Sequence, residues 1–241
     1  MPFAFYSEVE QAMQQIVQDA FYPQPFFQSL LSGSWSRRFL EYFTVQYAHY
    51  SAHFPRVLGA AISAMEPNDS WWIPLADNLW DEAGRGRQGH AHSQLYRTFA
   101  LSVMSPSEFE HRLVQWPRSL AVSTAIDHFI TFFHHATSLQ AMAAVGLGSE
   151  FFAGDIMGLI GQGLRHPQYQ RFGPLNPQFW ELHADSDEPR HYHLCRNVLL
   201  TLASDRHNLQ CMFTSGQDIA LSEANMYRQL YCEGEAQHLL D

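Results

Sequence analysis

The sequence contains no lysine, so all fourteen of its Lys+Arg residues are arginine. The absence of lysine excludes every mechanism in which a lysine amine forms a Schiff base, including the usual attachment of pyridoxal phosphate. Acidic residues outnumber basic ones, and the formal net charge is -10. Because this charge repels a phosphate backbone and the arginines are scattered, nucleic acid is not an expected partner.

Cysteines and long apolar runs are also scarce. The three cysteines, Cys195, Cys211 and Cys232, form no Cys-x-x-Cys pair, so neither a disulfide framework nor a cysteine zinc site is indicated. The first residues lack the basic region and apolar run of a signal peptide, and no window approaches the roughly 18 uninterrupted apolar residues of a membrane span. We therefore expect a cytoplasmic protein without a membrane partner.

Apolar residues recur at helical spacing nearly throughout, without sustained two-residue alternation. The composition, 46% hydrophobic and 16% charged over 241 residues, suits one globular domain spanning residues 1–241. The pattern predicts an all-α bundle of about seven or eight helices. The predicted helical segments are 8–20 (with Ser7 and Glu10 as a capping box), 26–31, 36–65, one helix from about 70 to 104, a connector after 105, 119–145, 150–164, 179–203 and 208–230.

One glycine-rich motif is rejected. Residues 84–89 spell GxGxxG, which in a dinucleotide-binding unit lies between a strand and a helix. Here the preceding residues have a helical pattern and no alternating strands and helices follow. The glycines more plausibly let a helix loosen or let its neighbours approach closely.

Six polar residues on three predicted helices form the candidate metal site: Glu82, His92, Glu150, His183, Asp187 and His191. Three imidazoles and three carboxylates suit iron or manganese better than a structural zinc, and carboxylates can bridge two ions. The last three residues follow one another in four-residue steps, which place them on adjacent turns of one helix. That helix holds further polar groups whose burial metal coordination would offset: Asp185, Glu188, Arg190 and His193.

Each candidate also has an ordinary structural interpretation. A lone buried histidine such as His92 is usually a hydrogen-bonded core residue, and Glu82 alone would lie on a solvated face. Glu150 lies among apolar residues and needs a cation or a donor if it points inward, but it would equally suit a helix N-terminus after Ser149. The sequence alone leaves both interpretations of Glu150 open.

At these residues the sequence resembles the heme-oxygenase-like diiron oxidases and oxygenases, which are relatives in fold of the TenA and PqqC proteins. The resemblance covers roughly residues 43–200 and implies a single heme-oxygenase-like helical bundle. Glu82 and His92, in NLWDEAGRGRQGHAHSQLY, match the first glutamate and histidine of the family. Glu150, in GSEFF, matches its central glutamate, and in FWELHADSDEPRHYH the pair His183 and Asp187 matches its His-x-x-x-Asp.

The last segment departs from the family pattern, in which the aspartate is followed by x-x-His. Arg190 occupies that place, and His191 comes one residue later, with His193 as a weaker substitute. Because Pro189 has no amide hydrogen, a one-residue π-bulge within residues 185–191 would return His191 to the ligand position. The resemblance then implies one iron held by Glu82, His92 and His191, and a second held by Glu150, His183 and Asp187.

The resemblance implies a non-heme enzyme in which two Fe²⁺ ions activate O2 to oxidise a bound small molecule. Reactions known in the family are N-oxygenation of amines, oxidative cleavage of acids and amino acids, and nitrile formation. The aromatic content of 14% and arginine as the only strong fixed cation favour an amino acid, whose carboxylate an arginine fork would hold. The candidates for this fork are Arg56, Arg85, Arg87 and Arg190. An external electron donor would return electrons to the irons.

Two alternatives remain open. A TenA-like, metal-independent hydrolase would need a cysteine nucleophile, either Cys195 or Cys211, although neither lies in a recognisable motif. A metal-free binding module of the same fold would leave the six inward polar residues unexplained. For assembly, the aromatic, low-charge N-terminal half predicts a homodimer.

Overall fold

The structure, a computed structural model, describes residues 3–241 except for the side chains of Ser186 and Asp187. Within the described residues the chain is helical and contains no β-strand. Two π-helical turns, Gly146–Glu150 and His183–Asp187, join α8 to α9 and α10 to α11. The α-helices are α1 (Tyr6–Ala20), α2 (Pro25–Leu31), α3 (Arg37–Ala64), α4 (Asp69–Glu82), α5 (His92–Val103), α6 (Pro106–Gln115), α7 (Leu120–His135), α8 (Ser138–Val145), α9 (Phe151–Leu164), α10 (Gln178–Leu182), α11 (Glu188–Leu202) and α12 (Arg206–Ala236).

Several helices begin where a hydroxyl caps them. The Ser36 hydroxyl accepts a hydrogen bond of 3.0 Å from the amide of Phe39, so α3 begins as predicted. Thr137 caps α8 in the same way, and this cap divides the predicted helix 119–145 into α7 and α8. The predicted capping box of Ser7 is wrong, because α1 already begins at Tyr6. Divisions of this kind give more helical segments than the seven or eight predicted.

The predicted helix from about 70 to 104 is also divided. Gly84, Arg85 and Gly86 have φ values of 70°, 54° and 72°, in the left-handed region that ends a right-handed helix. Glu82 and His92 therefore lie on two helices, α4 and α5, rather than on one. The loosening effect predicted for these glycines is confirmed.

The long helix α12 packs closely against the turn Gly146–Glu150. A Cβ on Gly148 would lie 2.7 Å from Cβ of Ile219, and a Cβ on Gly216 would lie 2.7 Å from Cβ of Leu147. Real Cβ atoms do not approach so closely, so glycine at these two positions permits the contact. The contact brings the middle of α12 beside Ser149 and Glu150.

The helical stretch 138–164 is long and apolar enough to cross a bilayer by length and composition. In this fold, however, 67% of its most apolar window is buried inside the protein. Such burial is expected of a central helix in a bundle, where every face meets other helices.

Candidate metal centre

The π-helical turn His183–Asp187 decides which side chains of α11 face the site. In this turn the amide of Glu188 donates to the carbonyl of His183, five residues back, so the turn holds one residue more than an α-helical turn. The predicted widening of the helix is therefore confirmed, and it lies at the beginning of the predicted stretch. The π turn begins at His183, two residues before the predicted stretch 185–191, and ends at Asp187, before Pro189.

Glu188 is the carboxylate that the structure places beside His191. The two residues are three positions apart in α11, and this Glu-x-x-His spacing brings two ligands to one side of a helix. The sequence analysis noted Glu188 only as one of several polar residues, although its spacing from His191 was a usable signal. The predicted ligand Asp187 has its side chain outside the described residues, so its role stays a prediction.

Glu150, Glu188 and His191 form a buried cluster, which we call the Glu150 cluster. One ligand atom of each lies within 4.8 Å of the others. Nδ1 of His191 is 3.5 Å from Oε2 of Glu150 and 3.6 Å from Oε2 of Glu188, and within the described part of the chain it has no hydrogen-bond partner. Asn78 donates a 2.7 Å hydrogen bond to the other oxygen of Glu150. Because metal bonds to nitrogen and oxygen are about 2.0–2.2 Å long, one cation fits among these three ligands.

Asp81 orients the ring of His191 from the opposite side. Its Oδ2 lies 3.3 Å from Nε2 of His191, and its carboxylate also accepts hydrogen bonds from Arg85 and Arg190. Burial would raise the pKa of Asp81, but the two guanidinium groups outweigh burial and hold the pKa below its ordinary value. An ionised Asp81 keeps a proton on Nε2, so Nδ1 can present its lone pair to a metal.

A second group, which we call the His92 group, consists of Glu82, His92 and His183. Nδ1 of His92 is 2.9 Å from Oε1 of Glu82 and 2.9 Å from Nε2 of His183. Nδ1 of His183 lies 2.7 Å from the carbonyl oxygen of Phe179 and donates to it, which makes Nε2 the acceptor atom of the ring. Nitrogen and carboxylate oxygen donors without a thiolate suit iron.

The side-chain contacts group the predicted ligands differently from the predicted division between two irons. The prediction grouped His191 with Glu82 and His92, and His183 with Glu150, whereas in the structure the two histidines are exchanged. The reason is that His183 lies at the start of the π turn, beside α5, while His191 lies beyond the turn and beside α4. The five predicted ligands whose side chains are described are all buried, with exposures of 8% or less.

In the absence of a bound cation, protons on His191 and Glu188 balance the negative charge of the Glu150 cluster. Burial would lower the pKa of His191, but Glu150 and Glu188 outweigh burial and raise the pKa to about 11. Burial and the negative charge of Glu150 raise the pKa of Glu188 well above its ordinary value. For Glu150, burial is outweighed mainly by His191, and its pKa is lowered. A divalent cation bound here would displace protons.

A cavity of about 60 Å³ joins the two groups. Glu188 lines it together with all three members of the His92 group, so Glu188 is the carboxylate between this group and the Glu150 cluster. Aromatic rings form much of the remaining wall. A further buried carboxylate, Glu223, also lines the cavity, and the sequence analysis did not single it out.

The predicted arginine fork is wrong for this cavity. The described residues that line it include no arginine. Arg56, Arg85 and Arg87 are exposed, and the fourth candidate, Arg190, forms ion pairs with Asp77 and Asp81 on the outer side of the ligand helices. An arginine held by two carboxylates there supports the position of Asp81 and does not reach the cavity.

The cysteines of the alternative hydrolase do not line the cavity either. Cys195 packs against Gly146, and burial raises the pKa of its thiol well above the ordinary value. A thiol in this environment is not a ready nucleophile.

Comparison with known protein families connects this geometry to iron chemistry. A family model described as "iron-containing redox enzyme" matches residues 41–221, which is more than half of the chain and includes every residue of the Glu150 cluster and of the His92 group. Comparison with curated proteins finds no match.

Solved structures show the same fold at low sequence identity. A protein of unknown function from Shewanella denitrificans, described as having a heme oxygenase-like fold, aligns with a TM-score of 0.71 at 13% identity, covering 96% of this chain and 92% of the other. A CADD-like protein of unknown function from Nostoc punctiforme aligns with a TM-score of 0.71 at 13% identity, covering 95% and 97%. A TenA homologue from Pseudomonas syringae aligns with a TM-score of 0.64 at 10% identity, covering 91% and 92%. The chain has a heme-oxygenase-like fold and belongs to the family of iron-containing redox enzymes.

Proposed function

We propose that this protein is a cytoplasmic diiron oxidase or oxygenase that uses O2 to oxidise a small molecule of the amino acid class. The observation that carries the proposal is the adjacency of two buried donor sets, the Glu150 cluster and the His92 group, beside one cavity that Glu188 and the His92 group line. Paired donor sets of histidine and carboxylate in a helical bundle are typical of dinuclear iron sites. Family membership supports iron at this place but does not give the number of ions.

In this proposal each donor set holds one iron. The His92 group would bind the first ion, and the Glu150 cluster would bind the second, with Glu188 between them and Asp187 as a further predicted ligand. The bound irons supply the activation of O2. The protein fixes the ligand tautomers through Asp81 and the Phe179 carbonyl, and the aromatic walls of the cavity orient the substrate.

Iron loading under anaerobic conditions, followed by metal analysis, tests the metal centre. We expect about two irons per chain, and the variants Glu150→Ala and His183→Ala should each lose about one or more, because each removes a ligand from a different donor set. His193→Ala is the matched control, since His193 is an exposed histidine of the same helix as His191. Unchanged iron content in both ligand variants would overturn the assignment.

Oxygen consumption tests the reaction class. The iron-loaded protein should consume O2 faster when a substrate amino acid is added, and the Glu150→Ala variant should not respond. If the protein binds two irons but no amino acid accelerates its O2 uptake, the assignment of the metal site stands and the proposed substrate class is wrong.

A further inference from the structure

The cavity beside the metal-binding groups has a chemical character that the arginine-fork hypothesis did not foresee. Its described lining contains no arginine, while the carboxylates of Glu82, Glu188 and Glu223 all face it. A lining of this kind offers no arginine to a substrate carboxylate, and a carboxylate that holds no metal attracts a cation. Two of these carboxylates belong to the proposed metal ligands, which leaves Glu223 for another partner.

Glu223 is an incompletely satisfied carboxylate. It is 6% exposed, and its Oε1 accepts hydrogen bonds from the Ser149 hydroxyl at 2.9 Å and from the Tyr50 hydroxyl at 3.1 Å. No described residue donates a hydrogen bond to Oε2. Because Glu223 lines the cavity, Oε2 is available to accept a hydrogen bond from a ligand bound there.

The neighbours of Glu223 favour a cationic donor. Tyr47, Tyr50 and Tyr227 line the same cavity, and aromatic faces attract ammonium groups. An ammonium group carries both the positive charge and the N–H donors that this carboxylate lacks. Burial raises the pKa of Glu223 to about 8, and an ammonium group bound beside it would favour the ionised carboxylate.

We propose that Glu223 binds the protonated amino group of the substrate, so that the substrate is a primary amine whose apolar part lies against the aromatic wall. This inference rests on the proposed function for the identity of the ligand as a substrate. It does not require iron, because binding of the amine uses Glu223 and the tyrosine rings. The cavity volume of about 60 Å³ favours a compact amine.

Calorimetric titration with three probes of equal chain length tests this assignment: n-butylamine, butan-1-ol and butanoate. We use the whole protein, loaded anaerobically with Fe²⁺ so that the metal ligands are occupied, and in parallel the protein treated with a chelator. Butylamine should bind with a Kd of about 1–10 mM, and the alcohol and the carboxylate should bind at least about tenfold more weakly. Equal binding of amine and alcohol would overturn the proposal, and so would the absence of amine binding.

The diagnostic variant is Glu223→Gln, which preserves shape and an acceptor for both hydroxyls but cannot ionise to form a carboxylate. Butylamine affinity should fall about tenfold or more. Glu235→Gln, an exposed glutamate on the same helix, is the matched control and should bind like the wild type. Far-UV circular dichroism checks that both variants are folded. Undiminished amine binding by Glu223→Gln overturns the proposal.

The chelated protein separates this inference from the proposed function. If iron fails to bind but Glu223→Gln still weakens butylamine binding, the diiron assignment fails and the amine site stands. If iron binds and Glu223→Gln changes nothing, the amine site fails and the diiron assignment stands. Glu188→Gln in the chelated protein should leave most of the amine affinity, and a complete loss there would place the amine in the metal cluster and overturn the assignment to Glu223.

Discussion

The two ring nitrogens of His191 have different neighbours: Nε2 faces Asp81, and Nδ1 faces the carboxylates of the Glu150 cluster. Substitution of His191 should therefore affect metal binding. His191→Ala should lower the iron content by about one ion per chain and abolish O2-dependent oxidation, because Nδ1 is the only nitrogen donor of the Glu150 cluster. Metal analysis after anaerobic loading measures the first effect and an oxygen electrode the second.

His193→Ala provides the comparison for this experiment. His193 is exposed, whereas His191 is 1% exposed, so the His193 variant should retain its iron and its activity. If the His193 variant loses iron while the His191 variant keeps its iron and its activity, α11 has a different register in the metal-bound protein.

Glu223 should make stability depend on pH. Burial raises its pKa in the folded protein from 4.5 to about 8, so between these values the unfolded chain releases a proton that the folded chain retains. The folded state therefore loses stability as pH rises through this window. Glu223→Gln, which cannot ionise, should gain stability over the wild type between pH 5 and pH 8, by roughly 1–3 kcal/mol.

Urea unfolding of the chelated wild type and variant at pH 5, 6, 7 and 8 measures this gain. All other titrating groups are common to both proteins, so the difference isolates Glu223. A difference that stays constant over the pH range would show that Glu223 titrates at its ordinary pKa.

Individual residues differed in how far the sequence could predict them. Glu150 was conspicuous because apolar residues surround it in the chain, and the histidines were conspicuous through the family pattern. Glu223 lies on a helix with several other acidic residues, and only the contact of α12 with Ser149 and Tyr50 turns it inward. Such a contact joins residues far apart in sequence, so local sequence patterns do not predict it.

At the scale of the helical element, the turn His183–Asp187 should be necessary for the Glu150 cluster. Deletion of the exposed residue Asp185 would convert the π turn towards an α-helical turn and rotate α11 by about 100° relative to His183. Glu188 and His191 would then leave the shared face, and we expect loss of about one iron per chain without loss of helix content.

Asp185→Ala is the control for the deletion, because it removes the same side chain and keeps the length of the turn. Its iron content should equal that of the wild type. Wild-type iron content in the deletion variant would contradict the role given to the extra residue.

The sequence predicted helices well and their interruptions less well. Periodic apolar residues specify the buried face of a helix, so the existence of the major helices followed from spacing. The break between α7 and α8 depends on a single cap at Thr137, and the end of α4 depends on left-handed backbone at Gly84 and its neighbours. The π turn Gly146–Glu150 lies between the predicted helices 119–145 and 150–164, and its contact with α12 joins residues too far apart in sequence for local spacing to predict.

At the scale of the whole molecule, metal binding should stabilise the fold because the proposed ligands come from five helical segments. Fe²⁺ present at about 100 times its Kd should add about 2.7 kcal/mol, which for a chain of this size raises Tm by roughly 5–10 °C. Differential scanning calorimetry under anaerobic conditions measures the shift, and Glu150→Ala should reduce it. An equal shift in that variant would place the stabilising ion elsewhere.

The same binding event should be coupled to pH. His191, whose pKa is raised to about 11, must lose a proton from Nδ1 before that atom can bind a metal. Apparent iron affinity should therefore increase as pH rises from 6 to 8, and isothermal titration in buffers of different ionisation enthalpy should detect release of at least about one proton per chain. Binding without proton release would show that His191 is not a ligand.

The homodimer predicted from the sequence is a separate question. Light scattering at micromolar concentration tests it, and a monomer at that concentration would contradict it.

The turn Gly146–Glu150 gives this molecule a further property. Ser149 donates to Glu223, and the next residue, Glu150, belongs to the Glu150 cluster, so the two proposed binding functions share one turn of backbone. A ligand that shifts this turn from one side changes the free energy of binding on the other. Linkage requires the effect to be reciprocal, so an amine that tightens iron binding by a given factor is itself bound more tightly by the iron-loaded chain, by the same factor.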